Sequence, residues 1–128
     1  MQDVNVVIVF DSRDESIERL ALAAAVGAVQ GRAFIRLRRF PGTPEHREYV
    51  APRDADAEWA HAILIAARSV PPEAERWIAT LRQRTGLLIV ETDAGSVDAA
   101  TQQGRRAAEE ARTLRSDRTS SGAAGDRS

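Results

Sequence analysis

Val6-Val7-Ile8-Val9-Phe10-Asp11-Ser12-Arg13-Asp14-Glu15-Ser16-Ile17-Glu18-Arg19-Leu20-Ala21 is the stretch that decides the fold. Its apolar, β-branched opening reads as a strand covered on both faces, as in a parallel sheet. A short polar turn follows, and then Ile17, Leu20 and Ala21 begin a helical stripe. In open α/β sheets such a turn lies at the carboxyl ends of the strands, where ligands bind. A phosphate-binding turn wants small residues and free backbone N–H groups at the helix start. This one holds Asp11, Asp14 and Glu15 and has no glycine.

The same alternation continues outward. The first strand spans Val4 to Phe10, and the helix spans Ser16 to Val29 with Ala24 and Ala28 extending its apolar face. Gly31 is placed to terminate that helix. Ala33 to Arg39 alternates with period two, as a partly exposed strand does, and the proline- and glycine-bearing Phe40 to Arg53 reads as a loop. A helical turn over Ala55 to Ala60 precedes a third strand, Ala62 to Ala67. Pro71-Pro72 opens a helix whose stripe is Ala74, Trp77, Ile78 and Leu81. Gly86 to Val90 is the fourth strand. Val97 to Leu114 is an alanine-rich helix expected to face the sheet with Val97, Ala100, Ala107, Ala111 and Leu114. Residues 1–115 form one domain, and 116–128, polar and aperiodic, reads as a disordered tail. Right-handed crossovers between alternating strands and helices predict a parallel four-stranded sheet in the order 2-1-3-4.

Composition narrows the chemistry. The chain has 128 residues, 43% hydrophobic and 29% charged, which suits a single globular domain. A net charge of −1 supplies no global field for nucleic acid or an anionic membrane, so neither is expected as a partner. With no cysteine, disulfides, thiol chemistry and thiolate metal sites are excluded. The 18 basic residues are all arginine, which excludes a Schiff base, a lysine general base and a Walker-type lysine. The N-terminus has no signal-peptide zones and no apolar run approaches the ~20 residues of a membrane span, so a cytoplasmic location is expected.

Three segments resemble a known family, the flavodoxin-like NAD(P)H:quinone oxidoreductases of the tryptophan-repressor-binding-protein type. Val9-Phe10-Asp11-Ser12 through Ser16-Ile17-Glu18-Arg19-Leu20-Ala21 is similar to that family's first strand, phosphate loop and first helix. Tyr49-Val50-Ala51-Pro52 with Ala57-Glu58-Trp59-Ala60-His61-Ala62-Ile63-Leu64-Ile65 is similar to its approach to the third strand. Gln103-Gly104-Arg105-Arg106-Ala107-Ala108-Glu109 is similar to part of its closing helix. The resemblance implies a flavodoxin-like three-layer sandwich and, were FMN bound, contacts from Ser12, Arg13, Ser16, Ile17, Arg68 and Ser69.

The departures from the family fall on its cofactor loops. Ser12, Ser16 and Ile17 match the first, but Glu15 stands where glycine would be. Ala66-Ala67-Arg68-Ser69 replaces a Gly-Thr-Pro-Thr loop and keeps only Ser69. Between Val90 and Val97 there is no room for a third loop and a fifth strand. A carboxylate ~4 Å from a phosphate costs about 1 kcal/mol through water and about 4 kcal/mol at an effective dielectric near 20. A helix N-terminus returns only ~0.3–1 kcal/mol per charge. Ser12-Arg13-Asp14-Glu15 also fits a capping box, in which Ser12 and Glu15 take the N–H groups a phosphate needs.

The remaining polar residues have plain structural readings. Asp11, Asp14, Glu15 and Asp93 would suit an oxygen-rich Mg²⁺ site, but no metal is expected. His46 and His61 have no triad pattern around them, and Trp77 and Trp59 supply bulk to an alanine-rich interior. Arg36, Arg38 and Arg39 read as charge protecting a solvated edge strand. Leu87-Leu88-Ile89-Val90, an apolar edge once the fifth strand is lost, predicts a homodimer through strand four. The expectation is a degenerate flavodoxin-like module without catalysis, acting in protein association or weak ligand binding. The alternative is an FMN-dependent NAD(P)H:quinone oxidoreductase or a flavodoxin-type electron carrier.

Overall fold

Four parallel strands in the order β2-β1-β3-β4, with helices on both faces, form a flavodoxin-like three-layer sandwich. The computed structural model describes residues 3–41, 49–84, 87–92 and 95–126, with side chains of the last helix described to Arg115. The elements are β1 Val4–Phe10, α1 Glu15–Gln30, β2 Ala33–Arg39, α2 Asp54–Trp59, β3 Ala62–Ala66, α3 Pro72–Arg82, β4 Leu88–Thr92 and α4 Val97–Asp126. The expected order and direction of every strand are those observed.

The pleat of β1 divides the interior. Val4, Val6, Ile8 and Phe10 meet α1 and α4 on one face, while Val7 and Val9 meet α2 and α3 on the other. All six side chains are fully buried, as a doubly covered strand requires. Phe10 also meets Tyr49 edge-on, with ring centroids 4.8 Å apart. Tyr49 reaches back to α1 by donating its hydroxyl to Glu18. Ala74, Ile78 and Leu81 are the buried stripe of α3, with Pro72 at its first turn and Trp77 half-buried beside it. Among the described residues no helix is long and apolar enough to cross a membrane.

Several local expectations are corrected. β4 spans Leu88–Thr92, two residues beyond Gly86–Val90 at its end, because its partners are the five residues of β3, from Ala62↔Leu88 to Ala66↔Thr92. Gly86 lies outside the described residues, as do His46 and Asp93. Val97 and Leu114 do not face the sheet: they are 47% and 48% exposed, and Ala100, Gly104, Ala107, Ala108 and Ala111 form the buried face. Helical backbone continues across the segment read as a tail to Asp126, whose side chains lie outside the described ones.

Gly31 caps α1, but the left-handed residue is Arg32, at φ 66°. Glycine sits at 31 for a packing reason, since a Cβ there would lie 3.0 Å from that of Ala108 and 3.2 Å from the Arg105 carbonyl oxygen. An L-residue in the left-handed region carries a steric cost that glycine avoids. Arg32→Gly is therefore expected to stabilise the protein by about 0.5 kcal/mol, net of the added freedom of the unfolded chain. Urea denaturation measures this directly, and a loss of stability would contradict it.

The arginines of β2 are not solvated edge charges. Arg36 and Arg38 both donate to Asp56 of α2, at 3.0 Å and 2.9 Å, and Asp56 is 2% exposed. Arg36 also stacks over the Trp59 ring at 4.1 Å. The cluster fastens a six-residue helix, too short to be stable alone, to the sheet.

Candidate functional site

At the carboxyl ends of the strands the acidic turn is closed on itself. Asp11 accepts from the backbone N–H of Arg13 at 3.0 Å and from its guanidinium at 2.9 Å through both carboxylate oxygens. This pairing holds the Asp11 carboxyl below its ordinary range, against the opposing effects of burial and of Asp14. Asp14, not Ser12, is the N-cap of α1. Its Oδ1 accepts from the Ser16 N–H at 2.9 Å, the Ser16 hydroxyl at 2.6 Å and the Ile17 N–H at 3.4 Å. The hydroxyl of Ser16 first, then those N–H groups and Arg68, keep Asp14 ionised against partial desolvation. The self-capped reading of the turn holds, with the cap moved two residues. An aspartate directly before the helix reaches the second and third N–H groups better than a serine two residues upstream.

Arg68, on the loop after β3, completes this arrangement. It donates to the Ser16 hydroxyl at 2.8 Å and lies 3.4 Å from the Asp14 carboxylate. Arg13, by contrast, is committed to Asp11. His61 is a backbone partner: its Nδ1 accepts from the Asn5 N–H at 2.9 Å, just before β3. Among the described residues no group of three histidines and carboxylates is placed to hold a metal ion.

Beside this turn lies a cavity of about 530 Å³. Ser16, Ile17, Arg19 and Leu20 of α1 form one wall, and Ala67 and Arg68, just after β3, form another. Thr92 of β4 and Gly95, Ser96 and Val97 at the start of α4 form the rest. Ser96 caps α4, accepting from the Ala99 N–H at 3.1 Å. Thr92 donates to Gln103, tying β4 to α4. Of the residues implied for a flavin, Ser16, Ile17 and Arg68 line the cavity, while Ser12, Arg13 and Ser69 do not.

Sequence reasoning misses Arg19, Thr92, Ser96 and Val97 as site residues. Gly95-Ser96 before the first periodic residue of a helix is a capping signal that points to one side of the cavity. Thr92 escapes because the apolar run that marks β4 stops at Val90, two residues before the strand does. Arg19 carries no local signal, since an arginine on an exposed helical face is ordinary.

No protein-family model and no curated protein matches this sequence. The solution structure of the uncharacterized protein lmo0427 is similar in fold, with a TM-score of 0.53 at 16% identity. The match covers 89% of this chain and 96% of that one.

Proposed function

We propose that this chain is a flavin-free, flavodoxin-shaped module that acts by association, with a second copy of itself as the partner along β4. One observation carries the reading. The Ser16 and Ile17 N–H groups, where a flavin phosphate would sit, already donate to the Asp14 carboxylate. An incoming phosphate meets a negative charge in place of free donors. Only 93–96 separate β4 from α4, too few for a further strand and cofactor loop. β4 is therefore an edge, and Leu88, Ile89 and Val90 stay only half-buried on it. A short, mostly apolar edge is a template for pairing with another chain. The cysteine-free composition is compatible with a reducing, cytoplasmic setting.

The second reading, an FMN-dependent quinone oxidoreductase or electron carrier, draws on Ser16, Ile17 and Arg68 lining the same cavity. An FMN titration of the purified, cofactor-stripped protein separates the two. No saturable change in flavin fluorescence up to about 1 mM is expected, whereas micromolar binding overturns the flavin-free reading. Sedimentation equilibrium at tens of micromolar is expected to give the dimer mass, and a monomer would remove the association.

A further inference from the structure

We propose that a two-fold axis normal to the sheet at Val90 pairs β4 antiparallel with a second copy and sets Arg106 of each α4 against Glu110 of the other. The inference rests on the association along β4 proposed above and gives it a register. Leu88 donates its N–H to the His61 carbonyl in the parallel β3–β4 ladder, so Leu88, Val90 and Thr92 turn their backbone groups to β3. Ile89 and Glu91 turn theirs outward, onto the open edge. An antiparallel copy centred on Val90 overlaps all five residues of β4 and places Ile89 opposite Glu91, outward groups facing outward groups. The Glu91 side chain does not oppose this, because Arg82 of α3 holds it at 2.8 Å.

The same axis falls at a self-complementary place on α4. Gln103 accepts from Thr92, which fixes the β4 flank of this helix, and Arg106 and Glu110 follow on that flank at helical spacing. α1 lies on the opposite flank, against Gly104. α4 runs from Thr92, at the carboxyl end of the sheet, back to its amino end, where Arg115 donates to the Asp3 carbonyl. From Thr92 to Val90 is ~6.6 Å of strand, or roughly four to five residues of helix, so Val90 lies level with Ala107 and Ala108. Residue 108 is also the midpoint of Arg106 and Glu110. The backbone of β4 and the charges of α4 thus choose one axis independently. Across it the two helices stand about three strand spacings apart, ~14 Å, which an arginine and a glutamate reach across from facing helices. Arg106 and Glu110 are exposed and have no hydrogen bond or ion pair among the described residues. Arg105 and Glu109, one residue before each, pair within the helix at 3.1 Å.

Sedimentation equilibrium of the full chain, with a thermal melt of each variant as a folding check, tests the contact. Arg106→Glu and Glu110→Arg are each expected to raise the dimer Kd about tenfold, since each sets like charges together twice across the axis. The double exchange Arg106→Glu/Glu110→Arg is expected to return Kd to within about threefold of wild type. An equimolar mixture of the two single variants is expected to form a heterodimer about tenfold tighter than either homodimer, because their charges are complementary only between chains. Single variants with wild-type Kd, or a mixture no tighter than its parts, would overturn the Arg106–Glu110 contact. Ile89→Pro tests the association separately: it removes an outward N–H and no bond to β3, and a folded monomer is expected. A dimer persisting in Ile89→Pro, or a monomeric wild type, would remove the β4 association and the contact with it. A monomeric Ile89→Pro beside charge variants of wild-type Kd would overturn the contact alone.

Discussion

Gly104→Ala is expected to destabilise the protein by about 2–3 kcal/mol, although alanine is the better helix former by ~1 kcal/mol. The two effects have opposite signs, so the direction alone decides which governs. A Cβ at Gly104 would lie 1.9 Å from the Ala24 carbonyl oxygen, and one at Gly27 would lie 1.8 Å from that of Thr101. Both obstacles are backbone atoms, which no rotamer change can move aside. Alanine at either position must push α1 and α4 apart and open the Ala24, Ala28, Ala107 and Ala108 seam. Gly95 is the control, because a Cβ added there would have nothing within 4 Å of it. Gly95→Ala should stay within about 0.5 kcal/mol of wild type. Urea denaturation of the three alanine variants measures this. A stabilised Gly104→Ala would show that the helices are not in contact there.

Asp56→Ala is expected to cost about 3–5 kcal/mol, a large part of the ~5–15 kcal/mol that holds a typical domain together. Asp56 accepts from Arg36, from Arg38 and from the Arg53 N–H at 2.9 Å. Removing the carboxylate strands two arginines whose side chains are 35% and 21% exposed. Some water reaches both, which places the expected loss near the lower end of that range. Asp56→Asn keeps the shape and one acceptor, and its stability is expected to fall between those of wild type and Asp56→Ala. Urea denaturation of the two variants measures both losses.

The same cluster has a pH signature. Burial alone would raise the Asp56 carboxyl, but hydrogen bonds from Arg38, Arg53 and Arg36 outweigh it and lower it below 3.8. The folded state therefore binds that proton less readily than the unfolded chain. The stability this contributes is complete above the unfolded carboxylate value and is lost as pH falls through the lower folded value. Asp11 and Asp14 are shifted in the same direction and add to the trend. Wild type should lose stability steeply below about pH 4, and Asp56→Asn should show a shallower slope in thermal melts over that window. Identical slopes would mean that Asp56 is not held as an ion.

Much of the fold is legible because its signals are local. Val4 to Phe10 and Ala62 to Ala67 are short, mainly apolar runs, the second overshooting β3 by one residue, and Pro71-Pro72 marks a helix start by its missing donors. The candidate site is legible only in part. Ser16, Ile17 and Arg68 are reached through a resemblance, while Arg19, Thr92, Ser96 and Val97 come together only when α1, β4 and α4 are placed side by side. Arg36 and Arg38 show the same limit: alternation puts them on one face of β2, but Asp56, their partner, lies in a helix beyond a loop.

The number, order and direction of the strands follow from the chain's own pattern, since hydrophobic period is local and crossover handedness is fixed within each strand–helix–strand unit. The acidity of the turn after β1, which disfavours a phosphate there, is equally plain from Asp11, Asp14 and Glu15. Packing in three dimensions selects which carboxylate caps α1, which arginines are paired and which one is left over the cavity. It also makes glycines 27 and 104 necessary, because two helix backbones touch there. These are choices of partner among residues far apart in the chain, and they depend on distances of a few ångströms that no periodicity encodes.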